Sequence, residues 1–156
     1  MGFQVLNITV GLLELSGAHI VINGDEIKVC AERDPENLPW KKLGIDVVVE
    51  STGIFRSKES EKGGYGDHLK NGAKKVLLTV PAKDQIDNMI VLGVNTESLK
   101  PTDQCVSNAS CTTNCLTPIM EILDREFDVK SGQMTTIHAS TATQNIVDGA
   151  SPKNWR

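Results

Sequence analysis

Residues Asp46–Glu50 read DVVVE and Lys74–Pro81 read KKVLLTVP, two apolar runs without the polar alternation of a half-solvated strand. A strand with one wet face alternates; one that does not is expected to be covered on both faces, as in a parallel sheet. Pro81 stops the second run. NMIVLGVN (Asn88–Asn95) and QCVSN (Gln104–Asn108) are two further strand candidates. Between the first two runs, GGYGDHLKNGA holds a short helix that Asn71-Gly72 can end. Strands alternating with helices predict an α/β fold. Ser51, Thr52 and Gly53 directly follow the first run, and ligands of open α/β sheets gather beyond the carboxyl ends of the strands.

Upstream, AHIVINGDEIKVCAE places two β-rich runs around Asn23-Gly24, a pair that supplies the positive φ of a tight hairpin. ERDPENLPW then reads as a loop broken by Pro35 and Pro39. Downstream, Leu116, Ile119, Met120, Leu123 and Phe127 recur at helical spacing and predict one apolar helix face. Pro118 falls inside that pattern and marks either the first turn or a kink, since it cannot donate to the Asn114 carbonyl. GQMTTIHAS is the next predicted strand, and VDGASPKNWR reads as a loop.

The composition, 39% hydrophobic and 23% charged over 156 residues, is that of a soluble globular chain. A net charge of −4 argues against a general nucleic-acid binder, which needs a basic face. No run is apolar and long enough to span a bilayer, and the N-terminal stretch lacks a basic start. Four unevenly spread cysteines in a chain of this length fit reduced thiols in a cytoplasmic protein better than a stapled scaffold.

Two of those cysteines lie in SNASCTTNC, Ser107–Cys115. If the helix begins near Ser110, Cys111 sits at its N-terminus, where unpaired amides and the positive end of the dipole favour a thiolate or hold an anion. Cys115, one turn on, is expected to lie deeper and outside that field. His138, closing the strand run, is a candidate base for Cys111. The residues alone also allow Cys111 as buried filler and His138 as a satisfied strand-end histidine. A zinc set of Cys105, Cys111, Cys115 and His138 lacks the spacings of a knuckle or finger, so no metal is expected. Cys30 and Cys105, in strand-like runs, read as filler.

SNASCTTNC together with MTTIHASTATQ closely resembles the phosphorylating glyceraldehyde-3-phosphate dehydrogenases. ERDPENLPW, VVVESTGIF, GAKKVLLTVPAKD and VLGVN resemble the same family in the same order, from about Gly17 to Arg156. The resemblance implies Cys111 as nucleophile and His138 as the base that activates it. It implies Ser110 and Thr112 near the attacking inorganic phosphate and Thr141, beside Thr143, on the substrate phosphate. Arg33 and Thr79 match contacts to NAD, with Ser51–Gly53 lining the same cleft. The implied reaction is NAD-dependent oxidation of glyceraldehyde 3-phosphate to 1,3-bisphosphoglycerate through a cysteine thioester, in a cytoplasmic homo-oligomer of glycolysis. Erythrose 4-phosphate as substrate, or a non-catalytic remnant, are the rival readings.

The family opens with a strand–glycine loop–helix unit, and no G-x-G-x-x-G occurs here; GGYG, Gly63–Gly66, has neither the spacing nor the preceding strand. Residues 1–16 show no resemblance to the family. The expected architecture is therefore a partial doubly wound, Rossmann-type sheet over 1–106 that lacks its first βαβ unit. The start of an α+β catalytic domain follows over 107–156. Such a piece is expected to fold poorly alone, with a bare sheet edge at DVVVE. It is also expected to turn over little substrate without the cofactor cradle and the family's arginine for the substrate phosphate.

Overall fold

The computed structural model describes residues 13–16 and 19–141, in two compact units divided between Ser110 and Cys111. The VDGASPKNWR segment, Thr143 and residues 1–12 lie outside the described residues.

The first unit opens with an antiparallel sheet of β1 (Leu13–Ser16), β2 (His19–Ile22) and β3 (Asp25–Lys28), in the order β1-β2-β3. β2 and β3 are a two-residue hairpin in which Ile22 faces Asp25. Asn23 and Gly24 between them have φ of 54° and 89°, the paired positive values that match the right-handed twist of the flanking strands. ERDPENLPW is not a plain loop. Asp34 caps a single 3-10 turn, Pro35–Asn37, accepting from the Glu36 amide at 3.0 Å, and the short helix α1 (Trp40–Leu43) follows Pro39. Proline serves here as a helix starter, where its missing N–H costs nothing.

The centre of the unit is a four-stranded, all-parallel sheet, ordered β4 (Val47–Glu50), β5 (Lys75–Leu78), β7 (Cys105–Ser107), β6 (Asn88–Met89). β4 and β5 are joined through the one-turn helix α2 (Asp67–Lys70), ended at Asn71-Gly72 by amide bonds back to Asp67 and Leu69. This is the α/β architecture expected. NMIVLGVN departs from expectation, because only Asn88–Met89 pairs. Asn95 Oδ1 accepts from the Val91 amide at 2.8 Å and turns the chain before a longer strand can form.

Burial along the strands has period two. Val48 and Glu50, Val76 and Leu78, Cys105 and Ser107 are buried, and Tyr65, Val76, Leu78 and Cys105 form the core with Leu69, Ala82 and Ile86 against them. The opposite face is open at β4, where Val47 is 52% and Val49 56% exposed, while Leu77 and Val106 on the inner strands are half-buried. The expectation of cover on both faces is thus not met. The apolar composition of DVVVE makes the strand suited to two covered faces, but only the layer carrying Tyr65 and α2 lies on it here. β4 is also the sheet edge among the described residues.

GGYG is a packing device. A Cβ on Gly64 would run into the Lys58 carbonyl oxygen, so only glycine allows the two backbones to lie together. Tyr65, fully buried in the core beside Val76 and Leu78, donates its hydroxyl to Asp84 at 2.9 Å.

The second unit is helix α3 (Cys111–Phe127) and the extended segment after it. α3 runs through Pro118, which lies in its middle rather than its first turn. An Arg125–Glu121 pair at 3.1 Å, one turn apart, adds a few tenths of a kcal/mol at such an exposed site. None of the predicted apolar face is buried: Ile119 is 54% and Phe127 75% exposed. GQMTTIHAS forms no strand, in correction of the sequence expectation. A strand exists through its ladder, and no described segment of this unit offers it an edge.

These open faces should govern solution behaviour. The purified chain is expected to associate as its concentration rises, and Val47→Lys with Val49→Thr should reduce that association without changing the far-ultraviolet circular dichroism. Light scattering across a dilution series reads the effect; a monomeric chain with a sharp two-state melt would contradict it.

Candidate active site

β7 ends at Ser107, whose hydroxyl donates to the Val80 carbonyl at 2.8 Å and accepts from the Ala109 amide at 3.0 Å. Ala109 is buried with φ of 64°, a left-handed conformation rare for a residue with a Cβ. The Ser107 hydroxyl clamps that turn, and Cys111 follows as the first residue of α3.

Within the second unit, Cys111 Sγ lies 3.3 Å from His138 Nε2. The other imidazole nitrogen, Nδ1, donates to the Ala139 carbonyl at 2.6 Å. A carbonyl can only accept, so the Nδ1 proton is fixed, and the Nε2 lone pair of the neutral ring faces the thiol. Proton transfer from sulfur to Nε2 then gives a thiolate–imidazolium pair in which both ring nitrogens donate. The Ala139 carbonyl is the part of the site that the residue pattern did not signal, because any residue there supplies the same atom.

The electrostatics follow from these contacts. The hydrogen bond from His138 and those from the Thr112 amide and hydroxyl hold the Cys111 thiol below its ordinary pKa. The Ala139 carbonyl and the Cys111 sulfur raise that of His138. As pH rises the thiol therefore loses its proton early and the imidazole keeps its own late. Both shifts favour the thiolate–imidazolium pair over the neutral one. Burial pushes the Cys105 thiol the other way, to about 11.

A cavity of about 370 Å³ opens beside the pair, walled by Cys111, Thr112, Cys115, Ile119, Met134 and His138. Cys115 is exposed and lines this cavity, in correction of the expectation that it lies deeper, because no layer covers α3 among the described residues. All four cysteines are free. Ser110 closes the first unit, and Thr141 is exposed at the end of the described segment. Arg33 and Thr79 both belong to the first unit. The exposed Arg33 lies in the loop ahead of Pro35, its amide donating to Glu32 at 2.8 Å. Thr79 follows β5, exposed, with its amide on the Glu50 carbonyl at 3.1 Å. The loop Ser51–Gly53 is exposed at the carboxyl end of β4.

The described chain thus has the parallel α/β sheet common to nucleotide-binding domains, with exposed loops at the carboxyl ends of β4 and β5, followed by a helix-start thiol paired with histidine. The profile of the glyceraldehyde 3-phosphate dehydrogenase NAD binding domain matches residues 7–58, and that of the C-terminal domain of the same family matches 110–156. The chain belongs to the glyceraldehyde-3-phosphate dehydrogenase family. It is 60% identical over 130 residues to a glyceraldehyde-3-phosphate dehydrogenase of Borreliella burgdorferi, covering 83% of this chain and 38% of that protein. It is 47% identical over 146 residues to glyceraldehyde-3-phosphate dehydrogenase 2 of Schizosaccharomyces pombe (94% and 42%) and 49% identical over 146 to a cytosolic enzyme of Trypanosoma brucei brucei (94% and 42%). The chain spans less than half the length of these curated relatives. The match from residue 7 starts ahead of Gly17, which corrects the reading of 1–16 as wholly unlike the family. Among the described residues no helix is long and apolar enough to cross a membrane.

Cys111 should be alkylated by iodoacetamide before Cys30, Cys105 and Cys115 at neutral pH. Its rate should rise with pH at a lower midpoint than that of an ordinary thiol. His138→Asn should move that midpoint upward and slow labelling at pH 7 about tenfold. Peptide mapping after limited labelling measures both; preferential modification of Cys115 or Cys30 would contradict the assignment.

Proposed function

We propose that this chain carries the thiol centre for NAD-dependent phosphorylating oxidation of glyceraldehyde 3-phosphate, with Cys111 as nucleophile and His138 as base. The observation that carries the reading is the 3.3 Å approach of Cys111 Sγ to a His138 Nε2 whose lone pair is aimed by the Ala139 carbonyl. Sequence likeness to a named enzyme family supports the substrate and the phosphate step.

The Cys111 thiolate attacks the aldehyde carbon, and the resulting alkoxide takes the proton back from His138 Nε2, which gives a hemithioacetal and a neutral imidazole. His138 Nε2 accepts the hydroxyl proton as the carbon is oxidised, which leaves a thioester on sulfur. NAD, when bound, supplies the hydride acceptor for that oxidation. An oxygen of inorganic phosphate attacks the thioester carbonyl, the carbon–sulfur bond breaks, and the acyl phosphate departs while protonated His138 stabilises the thiolate left behind. Ser110 and Thr112 are assigned to the attacking phosphate and Thr141 to the phosphate of the substrate. Hydroxyls and amides at these positions can donate to phosphate oxygens.

The first unit fits a dinucleotide in part. Exposed hydroxyls and backbone at Ser51–Gly53 and Thr79 stand at the carboxyl ends of β4 and β5, where such ligands bind. Arg33 would add a cationic contact. Gly63–Gly66 is occupied with packing on Lys58 and supplies no phosphate cradle. A cytoplasmic location and assembly with further copies of the chain belong to the same reading, on family likeness alone.

The test separates thiol chemistry from oxidation. The chain should take up one acetyl group from p-nitrophenyl acetate at Cys111, not at all in Cys111→Ser and about a hundredfold or more slowly in His138→Asn. Glyceraldehyde 3-phosphate, NAD and phosphate should yield NADH only where Cys111 is intact; because the described residues offer no pyrophosphate cradle, the rate should be low. Equal acetylation of the Cys111→Ser variant would overturn the assignment.

A further inference from the structure

A buried polar cluster that the Cys111–His138 pair does not use lies beneath the loop after β4. Glu50 and His68 are each all but fully buried. His68 Nε2 stands 3.1 Å from Glu50 Oε2, and the Trp40 indole N–H donates to His68 Nδ1 at 3.0 Å. An indole nitrogen can only donate, so His68 Nδ1 must accept and the ring proton is on Nε2, pointed at the carboxylate. The other carboxylate oxygen, Glu50 Oε1, accepts from the Thr52 amide at 2.8 Å and the Thr52 hydroxyl at 2.5 Å. That hydroxyl in turn accepts from the Ile54 amide at 3.1 Å. Burial alone would raise the Glu50 pKa; the hydrogen bonds from His68 and Thr52 outweigh it and hold the group below its ordinary value, so it is a carboxylate.

One continuous relay thus runs from α1 through α2 to the loop Ser51–Ile54. Its end is exposed while its middle is dry. Such an arrangement does more than satisfy a buried charge. A carboxylate could be satisfied by any donor, but here the two oxygens act separately. Oε2 is anchored by the histidine, and Oε1, so oriented, pins two groups of Thr52.

We propose that His68 is a positioning residue for the Thr52 loop, aligning through Glu50 the backbone and hydroxyl that a dinucleotide meets beyond β4. The ligand part of this proposal rests on the cofactor reading above. The positioning part does not, since it concerns the loop in the free chain. Trp40 fixes the tautomer and thus the direction of the relay.

Residue-resolved hydrogen–deuterium exchange by mass spectrometry, on the whole chain at micromolar concentration, tests both parts. His68→Leu removes the donor. The Thr52 and Ile54 amides should then exchange about tenfold or more faster, while those of Val76 and Asn108, in the sheet ladder, stay within about twofold. His68→Gln keeps a carbonyl for Trp40 and an amide for Glu50, and should hold Thr52 and Ile54 within about threefold of the unsubstituted chain. Unchanged Thr52 and Ile54 protection in His68→Leu, or equal loss at Val76 and Asn108, would overturn the positioning role, the latter marking a merely structural one. Failure of His68→Gln to restore the loop when Val76 keeps its protection would also overturn it. Millimolar NAD should slow exchange at Ser51–Gly53 in the unsubstituted chain and less in His68→Leu. No slowing by NAD, with the His68→Leu and His68→Gln patterns as expected, would overturn the cofactor reading and the ligand part resting on it, and uphold the relay.

Discussion

The parallel pairing of β5 with β4 on one side and β7 on the other is what the described structure hangs from. Val48 faces Val76 and Leu77 faces Val106 in register, so the carboxyl ends of all three strands leave the sheet on one edge. Ser51–Gly53, Thr79 and the Asn108–Ala109 turn are brought to that edge by topology alone, from positions far apart in the chain. A parallel sheet needs a crossover between neighbours, and α2 provides it between β4 and β5. The same helix carries His68 into the layer, where it meets Glu50. The crossover that makes the sheet possible therefore also delivers the group that orients the loop beyond β4.

The thiol centre depends on a different interaction, local to the second unit. Cys111 begins a helix of 17 residues, and its sulfur takes hydrogen bonds from the Thr112 amide and from His138. Neither partner is buried, so solvent moderates the effect; the reactivity argued for Cys111 rests on geometry more than on a dry environment. Cys105 offers the contrast in the same chain. It is enclosed in the core and its thiol is held protonated, whereas Cys111 is open to a cavity and held toward the thiolate.

Much of this was legible from residues. Asn23-Gly24 specified the hairpin, because few other pairs adopt positive φ twice in succession. DVVVE and KKVLLTVP specified strands, and Asn71-Gly72 a helix end. The placement of Cys111 at a helix start followed from the apolar spacing after it, and the meeting of Cys111 with His138 accords with the pairing suggested from SNASCTTNC and MTTIHAS. Other features were not legible. Nothing in GQMTTIHAS says that its ladder partner is missing from the described unit, since strand composition reports a preference and not the presence of an edge. Likewise DVVVE suits two covered faces, and only the packed structure reveals that Val47 and Val49 stand open.

What the sequence alone determined were local conformations and the kinds of chemistry available: hairpin, strands, helix start, a thiol and an imidazole. These depend on φ preferences, side-chain period and functional groups that each residue carries with it. What only the tertiary structure decided were directions. The Ala139 carbonyl assigns the His138 proton to Nδ1, and Trp40 assigns the His68 proton to Nε2, so two chemically identical rings face their partners in opposite senses. Imidazole has two nitrogens and no intrinsic reason to choose between them; the neighbour that each ring meets makes the choice, and that neighbour is a backbone atom in one case and a side chain 28 residues away in the other.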